Sequence, residues 1–326
     1  MRTTRKVRFA AFGTMAMLAL QPDITHAVEG GSGAYLLGSR DIMAGYVPAA
    51  GTFISNDVVY TEGTAPFLSI GGTVVTQPVI SAWVYKLSVT HILGEVNDTN
   101  VGINFTLPIA KAHMDADTSA FGRDYFFEDD QSGLGDIAIT PIFGWHSGNF
   151  HSSLSLTVFL PTGEYSLATI QPLQGVFDVL SIGKNKFAFD PTFSATYLDP
   201  ATGFELSGAL GVTFSQINEA TDYQTAPELH FEGTIAQHLP NGLILGLTGY
   251  AYQQLDDDSG SGAENFRNAI SAESLQARIF GLGPVIQYGT KFGDTPVTFE
   301  AKYIQEFESR RRLEGESFWF TAGIAF

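Results

Sequence analysis

Hydrophobic and polar residues alternate with a period of two along most of this chain. From position 186 the odd residues are Phe187, Phe189, Pro191, Phe193, Ala195 and Tyr197. The even ones are Lys186, Asp190, Thr192, Ser194 and Thr196, with Ala188 the exception. The next segment sets Phe204, Leu206, Gly208, Leu210, Val212 and Phe214 against Glu205, Ser207, Ala209, Gly211, Thr213 and Ser215. Successive side chains of an extended chain point to opposite faces, so each segment predicts a strand with one oily face and one small, polar face. Twelve such strands are predicted, at about 53–61, 80–93, 101–108, 135–146, 150–161, 186–198, 203–217, 228–238, 242–254, 276–290, 295–307 and 317–326. No amphipathic helical stretch is evident between them.

The connections alternate in length. "GEVNDTN", "SGN", "DPAT", "LPN" and "KFGD" are short and carry the Gly, Asn, Asp or Pro of a tight reversal. Most of the others are longer and polar, including 110–134, 162–185 and 255–275. An even strand count with short turns at one end and long loops at the other is the pattern of an outer-membrane barrel. A soluble sandwich would show the same alternation with its oily face buried. The barrel is favoured because the strands are long, Tyr60, Trp83, Trp145, Tyr252, Tyr288 and Trp319 stand towards strand ends, and the final strand carries Phe318, Phe320 and Phe326 on one face. A strand in a bilayer must have its backbone groups paired, so the last strand is expected to close the ring against the first with its Phe side towards lipid. The fold class is therefore an all-β, closed transmembrane antiparallel barrel of about twelve strands, occupying 53–326.

Two segments precede it. Residues 1–27 have a basic head (Arg2, Arg5, Lys6, Arg8), an apolar run and "THA" before Val28. This reads as a cleaved signal peptide for export to the bacterial outer membrane. Residues 28–52 have no period and many glycines. They are expected to tuck into the barrel mouth from the periplasmic side as a plug, or to act as a tether.

Composition narrows the chemistry. The 326 residues contain 17 Lys and Arg against 34 Asp and Glu. The leader carries four of the basic and one of the acidic residues, leaving 13 against 33 and a mature charge of −20. Such a field opposes nucleic-acid binding. The absence of cysteine removes disulfides and thiolate chemistry.

With the Phe faces outward, the lumen receives Lys86, Asp136, Lys186, Asp190, Glu205, Glu228, His230, Glu232, Glu300, Lys302 and Glu306. Carboxylates are in excess there, so the pore is expected to disfavour anions. "ELHFEGT" puts Glu228, His230 and Glu232 on one face, a spacing that could hold a metal but more often forms a solvated or ion-paired wall. No metal site or cofactor is expected. Glu300, Lys302 and Glu306 are expected to pair with charges on neighbouring strands.

Catalytic readings are weak. His146, His151, His230 and His238 have no accompanying G-x-S-x-G nucleophile motif. Asp115, Asp117 and "EDD" at 128–130 suit solvated outer loops. "DDDSGSG" at 256–262 lacks the bidentate Glu of a calcium loop and is expected to be hydrated. Arg310, Arg311 and Arg312 fall in the last outer loop, either on lipid phosphates or neutralised internally. An enzyme is not expected.

Several ordered motifs resemble one family. They are "GSGAYLLGS", "GLGDIAITPIFGWHSG" at 133–148, "FLPTGEY" at 159–165, "FAFDPTFSATYLDPATGFELS" at 187–207, "TDYQTAPELHFE" and "QHLPNGLILGLTGYAYQQLDDDSGSGA" at 237–263. Together they are similar to the outer-membrane transporters linked to the meta-cleavage pathway of phenol degradation, over roughly 29–326. The resemblance implies a porin-like barrel that moves small hydrophobic or aromatic compounds. The partners expected are that solute, outer-membrane lipid and lipopolysaccharide, and the barrel-assembly machinery. The alternative is a structural or adhesive barrel with a closed lumen.

Overall fold

The computed structural model describes residues 29–120, 123–171 and 174–326. The proposed signal peptide lies outside them. Among the described residues sixteen strands follow in order: β1 (Gly51–Thr64), β2 (Phe67–Ile70), β3 (Thr73–Val96), β4 (Thr99–Ala120), β5 (Arg123–Leu134), β6 (Ala138–Ser147), β7 (Phe150–Phe159), β8 (Thr169–Gln171), β9 (Val176–Asp178), β10 (Ala188–Asp199), β11 (Phe204–Ser215), β12 (Glu228–His238), β13 (Leu243–Gln254), β14 (Arg278–Phe292), β15 (Thr295–Arg310) and β16 (Glu314–Ala325).

Twelve of these form the wall. Going round, β1, β16, β15, β14, β13, β12, β11, β10, β7, β6, β4 and β3 are paired in turn, and β3 returns to β1. Each neighbour is antiparallel. The seam is as expected: Val58 pairs with Phe320 and Tyr60 with Phe318. Phe326 N donates to Thr52 O at 2.8 Å, and its own carbonyl accepts from Thr52 N at 3.0 Å. No sheet edge is left in the ring, which is what a bilayer without backbone partners demands.

Side-chain exposure fixes which face looks where. Phe193 and its cross-strand partner Leu210 are 53% and 51% exposed, and Phe189 and Leu206 also lie outside. Asp190, Thr192, Ser194 and Thr196, the alternate residues of β10, are buried within the ring. Phe318, Phe320 and Phe326 likewise face outward, at the positions the alternation assigned to lipid. The ring is thus oily outside and polar inside.

Five tight turns close one end, at 97–98, 148–149, 200–203, 239–242 and 293–294. The opposite end differs from the loose polar loops expected. Residues 110–134 are not a loop: β4 continues to residue 120 and turns back as β5, so a hairpin stands above the ring. Leu68, Val75, Met114, Phe127, Val179 and Leu180 form a core on that hairpin, outside the barrel proper. The 255–277 connection contains a helix, α1 (Ser261–Ala269), that the hydrophobic pattern did not show. Its Ala263 and Phe266 bury against Tyr223 and Leu275. The last connection, 311–313, is short.

Candidate functional site: the lumen and the segment threaded through it

Residues 29–50 run through the ring from end to end. Glu29 sits at the loop end, where its carboxylate accepts from Asn218 Nδ2 at 3.0 Å and Thr221 Oγ1 at 2.6 Å and lies 3.6 Å from Lys186 Nζ. Val47 sits at the turn end. Its carbonyl accepts from Asn100 Nδ2 at 2.9 Å and from His146 Nε2 at 2.8 Å. The segment therefore enters at the loop end and leaves at the turn end to begin β1, rather than tucking into the periplasmic mouth.

Segments without a strand or helix must place their backbone hydrogen bonds elsewhere. Here the wall supplies them. Glu232 accepts from Gly38 N at 2.9 Å and from Arg40 N at 2.5 Å. Glu205 accepts from Met43 N at 2.6 Å, and Thr196 Oγ1 from Gly45 N at 3.0 Å. Lys302 Nζ donates to Gly38 O at 2.6 Å and pairs with Asp41. Arg40 reaches Ser155 Oγ at 2.9 Å, and Tyr35 stacks on His230 with ring centroids 4.0 Å apart. Close approach also needs a missing side chain: a Cβ on Gly45 would stand 2.6 Å from Ala195 Cα.

These contacts redistribute the residues picked out from the pattern. Glu228, His230 and Glu232 share one inward face but do not converge on one centre. Tyr252 Oη donates to Glu228 at 2.6 Å, His230 Nε2 to Asp190 at 2.8 Å, and Glu232 takes the segment's N–H groups. Among the described residues no cluster could hold a metal ion. Lys302 and Glu300 lie 3.7 Å apart on their own strand, but the partner of Lys302 from elsewhere in the chain is Asp41 of the segment, not a charge on a neighbouring strand. Glu306 accepts from Tyr250 Oη at 2.6 Å and Gly315 N at 2.9 Å. Lys86 pairs with Asp57 at 3.1 Å, and Lys186 donates to Thr225 Oγ1 at 2.6 Å.

Asp136 stands apart from the strand-walled lumen. It lies between β5 and β6 and accepts from Gly163 N at 2.9 Å and Lys184 N at 2.7 Å, tying the 160–187 connection to the rim. Asp129 of "EDD" does similar work, accepting from Val179 N and Leu180 N at 2.8 Å each. Asp258 is buried, not hydrated: it accepts from Tyr223 Oη at 2.6 Å, Gln254 Nε2 at 2.7 Å and Ala226 N at 2.8 Å. Burial pushes its carboxyl up to about 6 against those three bonds. Arg311 and Arg312 are buried too, so they do not meet lipid phosphates at the surface.

The segment occupies one side of the lumen. It docks on the polar wall made by β7, β10, β11, β12 and β15, and cavities lie beside it. The outer one, about 290 Å³, lies between the segment and an apolar wall of Val59, Ile80, Ala82, Val84 and Ala112. The inner one, about 310 Å³, is bounded by Tyr46, Val47, Phe53, Ile92 and Ile142 near the turns. The alternation listed charges for the lumen and missed the apolar wall of the outer cavity, which gives way along the same face to the polar residues Asp57, Lys86, Ser88 and Thr106. Its signal was present: Ile80, Ala82 and Val84 are apolar on the inward face of β3, where β10 carries Ser and Thr.

The model of the "Putative MetA-pathway of phenol degradation" family matches residues 64–322. Among solved structures, the chain is similar to the COG4313 outer membrane channel from Pseudomonas putida F1, with a TM-score of 0.64 at 13% identity, covering 86% of this chain and 97% of that one. It is more distantly similar to the translocator domain of the autotransporter NalP from Neisseria meningitidis, with a TM-score of 0.44 at 12% identity, over 86% of this chain and 89% of that one. No curated protein sequence matches.

Proposed function

This chain belongs to that phenol-degradation family of outer-membrane barrels, and on that premise we propose that it is a channel for passive uptake of small hydrophobic or aromatic compounds. The observation that carries the reading is the apolar wall of the outer cavity, Val59, Ile80, Ala82, Val84 and Ala112, on the β1, β3 and β4 side of the threaded segment. An apolar molecule gains by leaving water for such a surface, roughly 25 cal/mol for each Å² it buries. A hydrated ion loses its shell against that wall. The COG4313 channel named above adds support through its shared fold. A second reading, a structural barrel with a shut lumen, is favoured by the depth at which residues 29–50 occupy the ring.

Flux separates the two. Purified protein in liposomes should speed the entry of phenol or benzyl alcohol over empty vesicles. A folded barrel that gives no acceleration, and stays electrically silent in planar bilayers after residues 29–47 are deleted, would establish the closed-barrel reading instead.

A further inference from the structure

Beside its apolar wall the outer cavity is lined by Glu29, Glu62, Glu306, Lys184 and Arg312, and of these charged groups Arg312 carries a buried donor without a partner. Arg312, in the short connection between β15 and β16, is only 6% exposed and lines the cavity. Its guanidinium carbon lies 4.3 Å from the centre of the Tyr252 ring. Nη1 is buried with no hydrogen-bond partner, and Arg312 makes no ion pair among the described residues. Guanidinium cannot shed its charge at ordinary pH, so the donor calls for an acceptor.

The carboxylates nearby do not supply one. Glu306 is engaged by Tyr250 and Gly315, Glu29 by Asn218 and Thr221, and the bonded oxygen of Glu228 by Tyr252. The other Glu228 oxygen is itself without a partner and does not reach Arg312. A second cation lines the same cavity: Lys184, whose Nζ donates to Ser32 Oγ at 3.0 Å. Burial, with Lys186 nearby, lowers its ammonium to about 8, so it remains mostly charged at neutral pH.

Space and lining define the occupant. An apolar cavity of about 150 Å³ accepts benzene, so about 290 Å³ has room for one ring and a short polar group. Val59, Ile80, Val84 and Trp319 offer that ring an apolar bed. The planar donor fork of an arginine matches a carboxylate. A multiply charged anion would forfeit its hydration against the apolar walls. We propose that this cavity is a binding site for a small aromatic monocarboxylate, its ring on the β1 and β3 wall and its carboxylate on Arg312. The inference builds on the uptake reading in taking the occupant as a solute in transit, and it reverses the expectation that the lumen disfavours anions.

Binding can be tested without transport. Benzoate and benzyl alcohol, alike in ring and size but not in charge, are titrated at neutral pH into the full mature chain folded in detergent, with tryptophan fluorescence as the readout. Benzoate should bind at least about tenfold more tightly than benzyl alcohol. Trp319→Phe should abolish most of the signal, since Trp83 and Trp145 face outward. Arg312→Gln should erase the preference, and Arg312→Lys should restore part of it, in samples whose heat-modifiable gel migration shows a folded barrel. Equal affinity of the wild-type protein for the two probes, a preference that survives Arg312→Gln, or a signal that survives Trp319→Phe would each overturn the proposal. The wild-type comparison decides even if the variants do not fold. Benzyl alcohol flux in liposomes, which needs no cation, judges the uptake reading separately.

Discussion

Removing the Glu232 carboxylate should free the threaded segment. Glu232 holds two consecutive anchor points, Gly38 N and Arg40 N, and is buried in the lumen wall. A hydrogen bond to a charged group contributes about 1.5–3 kcal/mol. The freed N–H groups would meet lumen water, so the lower figure applies, and Glu232→Ala should cost about 3 kcal/mol for the pair. That shifts the docked-to-released ratio by about a hundredfold. Lys302, Glu205 and Thr196 keep their own contacts, so most molecules stay docked while the released fraction rises. Two assays report it. Trypsin added to the detergent-folded barrel should cut after Arg40 far faster in the variant, giving a chain that mass spectrometry finds to begin at Asp41. Planar-bilayer recordings should show more frequent open events. If Arg40 keeps its wild-type protection and the recordings do not change, the carboxylate is not what holds the segment.

Two further outcomes follow from the wall and the cap. Phe193→Arg places a cation on the lipid face, where a midplane charge costs about 2–4 kcal/mol; urea titration by gel mobility should show the loss, and Ser194→Ala should not. Asp258 lies in a loop outside the membrane, and its folded carboxyl is raised to about 6. The folded loop therefore holds the proton more tightly than an unfolded chain does. Its packing is strongest below about pH 4 and weakens as pH rises through 6, by about 3 kcal/mol in all. Hydrogen exchange across 255–277, corrected for intrinsic rates, should follow that curve, and Asp258→Asn should flatten it. An unchanged curve in Asp258→Asn would refute the assignment.

The wall was legible because a membrane imposes a strict rule on every second side chain. Phe189, Phe193, Leu206 and Leu210 could only be on one face, and a one-residue slip would have put Asp190 and Glu205 in lipid. Strand 228–238 was located to the residue, since Pro227 and the "LPN" turn bound it. Above the membrane the rule lapses. Met114, Ala116 and Phe127 pack in a hairpin that read as loop, because its alternate positions carry His113, Asp115 and Asp117 where a membrane-facing strand would carry apolar side chains. The α1 helix was hidden for a different reason, since nine residues with two buried apolar side chains leave little period to detect.

The site was harder than the fold. Glu205, Glu232 and Lys302 are buried on the inward face, but alternation does not reveal what such a residue touches. Their partners come from a glycine-rich stretch whose hydrogen bonds run to side chains up to 264 positions away. Arg312 shows the limit most clearly. Arg310, Arg311 and Arg312 read as an outer loop, and only the fold shows that Arg312 lies over Tyr252 instead.

The direction of threading imposes a mechanical asymmetry. The segment is covalently moored at Gly51, beside the tight turns, while at its far end, the loop end, Glu29 is held by side-chain contacts to Asn218, Thr221 and Lys186. A pull from the periplasm would therefore draw it out like a cord from a sleeve, far end last, with the wall untouched. A pull from outside would instead load the mooring and tear at the β1 and β16 seam. At roughly 3.3–3.6 Å per extended residue, twenty-two withdrawn residues could hang some 70 Å below the ring, long enough to meet a periplasmic hand.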